Sequence, residues 1–291
     1  MSPIDLLILL LFVGICVYML GHRRFGASKL PPGPRGLPII GNMLQLGKMP
    51  HQTLTNWAKS YGPIMSIKLG SNQTIVISSS TLAKEALQKN DQIFVDRPMV
   101  DAMRALNHHE YSIAWLPASN KWRYLRKILT MEMFTSQRLN ACQGLRQEKV
   151  QQLMQHVQKC CDNNWAVLVG QASFTSSLNF ISNTLFSMDV ASYDSQNEFH
   201  ELARGIMELI GLPNISDYFP ILWYIDPQGL RRKTELMMEK VIEILDRIVN
   251  QRLQLGDSSP YSDILDHLLK IQKENGSEFT RADLDHFLMG T

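Results

Sequence analysis

Apolar residues dominate the chain from Leu6 to Leu20, with Gly14 and Tyr18 the least hydrophobic members and Asp5 the one charge at the edge. His22, Arg23, Arg24 and Lys29 follow. A run of about 15–17 residues is short of the roughly 20 that a full membrane crossing takes. It suits either a membrane anchor or the core of a secretory signal. Two features favour the anchor. The basic residues follow the apolar run instead of preceding it, and no small-x-small cleavage pattern closes it. The excess of positive charge behind Leu20 then places the rest of the chain in the cytosol.

Residues 23–41 break the pattern. Pro31-Pro32-Gly33-Pro34 and Pro38 fix φ and lack donors, so neither a helix nor a central strand is expected there. A basic, proline-rich and semi-rigid linker is expected. Leu54, Trp57, Ala58 and Tyr61 then recur at helical spacing and stop at Gly62. Residues 64–69 and 73–78 alternate around Gly70-Ser71-Asn72, a hairpin signal. A helix over 80–89 follows. Residues 92–117 read as irregular, and nearly everything beyond them as helical. One apolar stripe holds Val150, Leu153, Met154 and Val157, and a second holds Leu178, Ile181, Leu185 and Met188. A third, Met237, Val241, Ile244, Leu245 and Ile248, has Glu235, Glu239, Lys240, Glu243 and Arg247 on its other faces. A loop at 256–260 precedes a short helix over 262–273. A last helix opens at Thr280, with Asp283 three residues on in a capping-box pattern.

Three regions result: an anchor over 1–22, the linker over 23–41 and a helical body over 42–291. The 291 residues carry a net charge of +2, too mild a balance for a nucleic-acid-binding face. The four cysteines, Cys16, Cys142, Cys160 and Cys161, form no disulfide framework. Neighbouring cysteines are poorly placed to pair with each other. His108-His109 would be the metal candidate, but adjacent side chains diverge and no carboxylate or cysteine cluster joins them. The glycosylation patterns at Asn72, Asn214 and Asn275 stay unmodified if the body is cytosolic.

The apolar leader, Pro31-Pro32-Gly33-Pro34, Ile40-Gly41-Asn42, the early hairpin and Trp122-Arg123-Tyr124-Leu125-Arg126 occur in an order that resembles a plant microsomal cytochrome P-450. The stretch from His108 to Pro117 is similar to the geraniol 8-hydroxylase-like group. Asp285-His286-Phe287-Leu288-Met289-Gly290-Thr291 resembles the middle of that family's long central helix, with Met289 where the family usually has alanine. The resemblance implies a mainly α fold: the N-terminal part of the cytochrome P-450 fold, with one small β-hairpin, behind a transmembrane anchor helix. It also implies that the chain stops inside the central helix, at roughly three-fifths of the usual length.

The resemblance assigns Trp122 and Arg126 to a haem propionate. They share one helical face; a guanidinium fork suits a carboxylate and an indole N–H can donate to it. Spacing alone favours a core tryptophan beside a surface arginine; the family order reverses that preference. Lys121, Arg123 and Lys127 would meet an NADPH-dependent flavoprotein reductase, or form an ordinary solvated face. Ile113, Ala114 and Trp115 resemble the family's first substrate-contact region, and Ile206, Met207 and Ile210 the second; core packing is the competing reading for each. The aromatic stretch from Tyr218 to Ile225 could settle at a membrane interface or be a buried loop.

The implied reaction inserts one oxygen atom from O2 into a small apolar plant metabolite, such as a terpenoid alcohol, at haem b on the endoplasmic reticulum. No cysteine here sits in a Phe-x-x-Gly-x-Arg-x-Cys-x-Gly loop. Glu201-Leu202-Ala203-Arg204 and Glu278-Phe279-Thr280-Arg281 match the family's Glu-x-x-Arg spacing in the wrong context. The 291 residues alone are therefore expected to be inactive, with no catalytic residue among them. The competing expectation is a membrane-anchored helical protein without haem, whether a remnant or an interaction module.

Overall fold

The computed structural model describes residues 12–14, 30–193, 198–256, 261 and 263–290. The expected anchor and the basic residues behind it lie almost entirely outside them. Among the described residues no helix is long and apolar enough to cross a membrane. The body is mainly helical and includes one two-stranded antiparallel sheet. It divides into two compact units, one running to Val95 and including Tyr218–Tyr224, the other made of Asp96–Asp217 and Ile225 onward.

In the first unit, helix α1 (Pro50–Tyr61) carries the expected Leu54–Tyr61 stripe and stops at Gly62, whose φ is 97°. Strands β1 (Ile64–Leu69) and β2 (Asn72–Ile77) pair with Ile64 opposite Ile77 and Leu69 opposite Asn72. Gly70 turns the hairpin at φ 58°, and a side chain there would strike the Tyr218 carbonyl at 2.6 Å. Helix α2 (Ser80–Lys84) opens on a Ser79 cap and widens into a π-type turn over Glu85–Lys89.

The described part of the expected linker does not stand free. The Ser66 amide donates to the Pro32 carbonyl at 3.0 Å, and the Ser66 hydroxyl donates to Pro31 at 2.7 Å. Asn42 Oδ1 accepts from the Lys68 amide at 2.8 Å. The proline run, which has no donors of its own, thus offers its carbonyls to the open edge of β1, as an edge position allows. A β-carbon on Gly33 would lie 1.9 Å from the Ser66 carbonyl oxygen, so only glycine permits this approach.

The second unit contains α3 (Asn120–Met133), α4 (Ser136–Ala141), α5 (Gln143–Asp162), α6 (Val169–Phe186), α7 (Glu198–Gly211), α8 (Leu230–Leu255), α9 (Ile264–Glu274) and α10 (Arg281–Gly290). α8 buries Met238, Val241, Leu245, Ile248 and Val249, close to the stripe read from the sequence. Of these, Val241, Leu245, Ile248 and Val249 pack with Leu125, Leu185, Leu265, Leu268, Leu284 and Phe287 into one core, while Met238 packs with Ala102, Met103 and Ala105. Each such side chain contributes about 1.5–3 kcal/mol by leaving water.

Two stripes behave differently from the expectation. On α5, Val150 and Met154 are exposed and Cys160 is buried, because α5 packs mainly on α6 and covers only one narrow face. On α6, the buried face includes Thr175, Asn179 and Ser182. Their polar groups are answered by backbone. Asn179 donates to the Ala191 carbonyl at 2.8 Å and accepts from the Ala191 amide at 2.9 Å. Ser182 donates to the Met188 carbonyl at 2.8 Å. Apolar periodicity is blind to a helix face buried in this way.

A buried ion cluster ties α8 to the start of α9. The Arg252 guanidinium forks onto Asp263 at 2.8 and 2.9 Å, reaches Asp266 at 2.8 Å and donates to the Phe186 carbonyl at 3.0 Å. α10 begins with the expected reciprocal cap. Asp283 accepts from the Thr280 amide at 2.9 Å, and Thr280 Oγ1 accepts from the Asp283 amide at 3.2 Å.

Candidate functional site

The segment read as irregular forms tight helical turns over Asp101–Glu110, broken where Leu106 and Asn107 take left-handed φ values of 49° and 55°. The break lets the chain fold back, so that Met103 and the stretch after His108 face one cavity of about 270 Å³. That is at the small end of ligand pockets, which run from about 300 Å³ upward. α6 supplies Leu178 and Ile181, α7 supplies Ile206, Met207 and Ile210, α8 supplies Met238 and Val241, and α10 closes it with Leu288, Met289 and Gly290.

Five of the six expected substrate-contact residues, Ala114, Trp115, Ile206, Met207 and Ile210, stand together on this cavity. Met207 is largely exposed. Ile113 does not line it and packs on the main core instead. Met289 does line it, so the long side chain takes up space there.

One end of the cavity is polar, and no local pattern in the sequence announces its arrangement. His108 Nδ1 and His286 Nδ1 lie 2.8 Å apart, both rings buried. Tyr111 stacks on His286 with ring centres 4.9 Å apart and planes 11° from parallel. Lys121 Nζ sits 4.0 Å above the Tyr111 ring and 2.7 Å from Asp283. Burial pushes His108 down to about 4, helped by His286 and then His109. Burial also lowers His286; Asp283 opposes the shift and Lys121 adds to it. Burial pushes Asp283 upward, but Lys121 and the Thr280 cap outweigh it and hold the carboxyl below its usual range. Both imidazoles are therefore neutral at neutral pH. Ser112 Oγ, also buried, has no hydrogen-bond partner among the described residues. Among the described residues no cluster of three or more His, Cys, Asp or Glu could hold a metal ion.

α3 starts at the Ser119 cap, whose hydroxyl accepts from the Trp122 amide at 3.2 Å. The helix presents Trp122 and Arg126 together, the guanidinium 5.0 Å from the indole ring. Arg126 is exposed, and no carboxylate pairs with it among the described residues, so it suits a haem propionate. The Trp122 indole N–H is already committed to the Ile113 carbonyl at 3.1 Å; it could serve a propionate only by releasing that oxygen. Of the three expected reductase contacts, Arg123 and Lys127 are exposed, while Lys121 turns inward to Asp283 and Tyr111. Ile221, Tyr224 and Ile225 are exposed. The two Glu-x-x-Arg matches pair elsewhere: Arg204 with Glu208, and Arg281 with Asp246 and Asp285.

The family model described as "Cytochrome P450" matches residues 31–290. Cytochrome P450 76T24 of Catharanthus roseus is 47% identical over 97% of this chain and 58% of its own length. Drimenol monooxygenase of Persicaria hydropiper is 40% identical over 98% of the chain and 58% of its own length. A ferruginol synthase of Salvia miltiorrhiza is 40% identical, covering 100% of the chain and 61% of itself. The chain thus spans about three-fifths of the length of these curated relatives.

Proposed function

This chain belongs to the cytochrome P450 family, and we propose that it is the N-terminal portion of a haem-dependent monooxygenase that hydroxylates a small apolar terpenoid. The observation that carries this reading is the 270 Å³ cavity, apolar on most walls and lined by residues of both expected substrate-contact regions. The similarity to a drimenol monooxygenase and a ferruginol synthase supports the substrate class.

When bound, haem supplies the activation of O2. The residues here bind and orient. Arg126 offers a planar, permanently charged fork to a propionate, with the Trp122 ring holding the fork in place. The Trp122 N–H reaches the same carboxylate by exchanging it for the Ile113 carbonyl. The cavity walls exclude water and hold the substrate's carbon skeleton. Electrons come from an NADPH-dependent reductase. Arg123 and Lys127 carry most of that encounter, since Lys121 spends its charge on Asp283. The run from Leu6 to Leu20 anchors the protein in the endoplasmic reticulum membrane. The exposed Ile221, Tyr224 and Ile225 support contact with the lipid interface.

Residues 1–291 by themselves hydroxylate nothing, because they contain no thiolate-ligand loop. Carbon monoxide added to the reduced, haem-supplemented 291-residue chain tests this. The expected spectrum lacks the thiolate-type Soret band, and the band's appearance would overturn the reading of an inactive portion. Failure to take up any haem favours the competing reading, a membrane-anchored helical protein that works without it.

A further inference from the structure

The apolar cavity explains how a hydrocarbon skeleton would be held, but not why His108 and Ser112 line its far end, with His286 behind His108. We propose that His108, set by its partner His286, is a recognition point for a single oxygen on the ligand, an alcohol or carbonyl group on an otherwise apolar molecule. This rests on the reading of the cavity as the substrate site.

Two neutral imidazoles whose Nδ1 atoms lie 2.8 Å apart share one proton between those atoms. One ring must donate from Nδ1 and the other accept there. A ring that donates from Nδ1 has a bare Nε2; a ring that accepts at Nδ1 carries its proton on Nε2. The pair is therefore locked into two complementary arrangements. In one, His108 Nε2 is a donor; in the other, it is an acceptor. The exchange takes two proton movements, one across the Nδ1–Nδ1 contact and one that removes a proton from one ring's Nε2 while the other ring's Nε2 gains one from water or from the ligand hydroxyl, and it changes no net charge.

His108 lines the cavity, and its Cε1, next to Nε2 in the ring, lies 3.8 Å from where a β-carbon on Gly290 would stand. Gly290 also lines the cavity and has no side chain to cover that edge. Ser112 is 1% exposed, lines the same end, and its Oγ has no hydrogen-bond partner among the described residues. A buried hydroxyl without a partner costs free energy until something answers it. An alcohol between His108 and Ser112 answers both, and a carbonyl oxygen is met by the donor form of His108. A plain hydrocarbon leaves both wanting. Tyr111, Lys121 and Asp283 brace the His286 side of the pair and do not line the cavity, so His108 and Ser112 are the groups that would touch the oxygen.

The test uses the full 291-residue chain and three probes of one carbon skeleton: a ten-carbon acyclic alcohol, its aldehyde, and the parent hydrocarbon. Each competes at neutral pH with a fluorescent apolar dye. The alcohol and aldehyde should bind about tenfold tighter than the hydrocarbon, the scale of one net hydrogen bond. His108→Phe should remove that preference while leaving hydrocarbon affinity in place, and Ser112→Ala should reduce it for the alcohol more than for the aldehyde. Equal binding of all three by the unaltered chain overturns this proposal and leaves the cavity reading standing. If none of the three displaces the dye, the cavity reading fails, and this proposal with it. Should His108→Phe not fold, side-chain nitrogen resonances of the unaltered protein decide. The alcohol should move His108 Nε2 and the hydrocarbon should not; no movement with either overturns the proposal.

Discussion

His108 and His286, 178 positions apart in sequence, meet through their Nδ1 atoms at 2.8 Å inside the helical unit. The contact adds a directional bond to the apolar packing of Met289 on Ala102, Met103 and Ala105, which holds the broken Asp101–Glu110 segment against α10. It also makes the protein sensitive to acid. Burial first, then His286 and His109, depress His108 from 6.5 to about 4. The unfolded chain therefore binds a proton there that the folded one refuses. Stability should be full above about pH 6.5, fall as pH drops from there toward 4, and level off below, with His108 alone accounting for on the order of 3 kcal/mol. Urea midpoints across that range should show a steep slope in the unaltered chain and a shallower one in His108→Leu/His286→Leu. Parallel slopes would contradict the assignment.

Arg252 is 6% exposed and answers two carboxylates and a carbonyl. Removing the arginine leaves Asp263 and Asp266 without their counter-charge and the Phe186 carbonyl without this donor. Arg252→Ala should cost about 3–5 kcal/mol, seen as a lowered denaturation midpoint. A change below about 1 kcal/mol would mean that water already reaches the cluster.

Arg126 is expected to act on haem without acting on the fold. Arg126→Leu should leave the melting temperature of the apo chain unchanged and weaken haem uptake about tenfold or more, as loss of a charge-assisted bond implies. Arg126→Lys should restore part of the affinity, keeping the charge but not the fork. Equal haem affinity in all three proteins would remove Arg126 from the propionate site.

Met289 narrows the cavity. Met289→Ala should lower stability by about 2 kcal/mol and admit a larger apolar ligand, read as a gain in dye-displacement affinity for a fifteen-carbon probe relative to a ten-carbon one. An unchanged ratio would show that another wall sets the size.

The sequence made much of this legible where a local rule operates alone. The hairpin around Gly70, the stop at Gly62, the Thr280–Asp283 cap and the α8 seam follow from turn chemistry, capping and period. The substrate-contact stretches came from resemblance, and five of the six residues do meet on one cavity. What escaped depends on distance along the chain. Nothing near His108 announces His286, and its immediate neighbour His109 drew the eye instead. The shared face of Trp122 and Arg126 follows from their spacing, but the bond of the Trp122 N–H does not, since its acceptor is a backbone carbonyl nine residues back. The proline run looked like a spacer because sequence shows its missing donors but not the strand edge that uses its acceptors.

The pair of hydrogen bonds between Asn179 and Ala191 bears on how this protein can vary. One side-chain amide there does what a neighbouring strand does in a sheet, matching a backbone donor and a backbone acceptor at once. The turn after α6 is mostly polar and partly exposed, the kind of place where homologous chains usually gain or lose residues. Here its length is set to the reach of one amide. A residue inserted between 187 and 190 would carry Ala191 out of register, and Asn179→Asp would lose the donor half and set an anion against a carbonyl. A surface turn that looks free to drift is thus held to one length by a residue buried a few turns earlier.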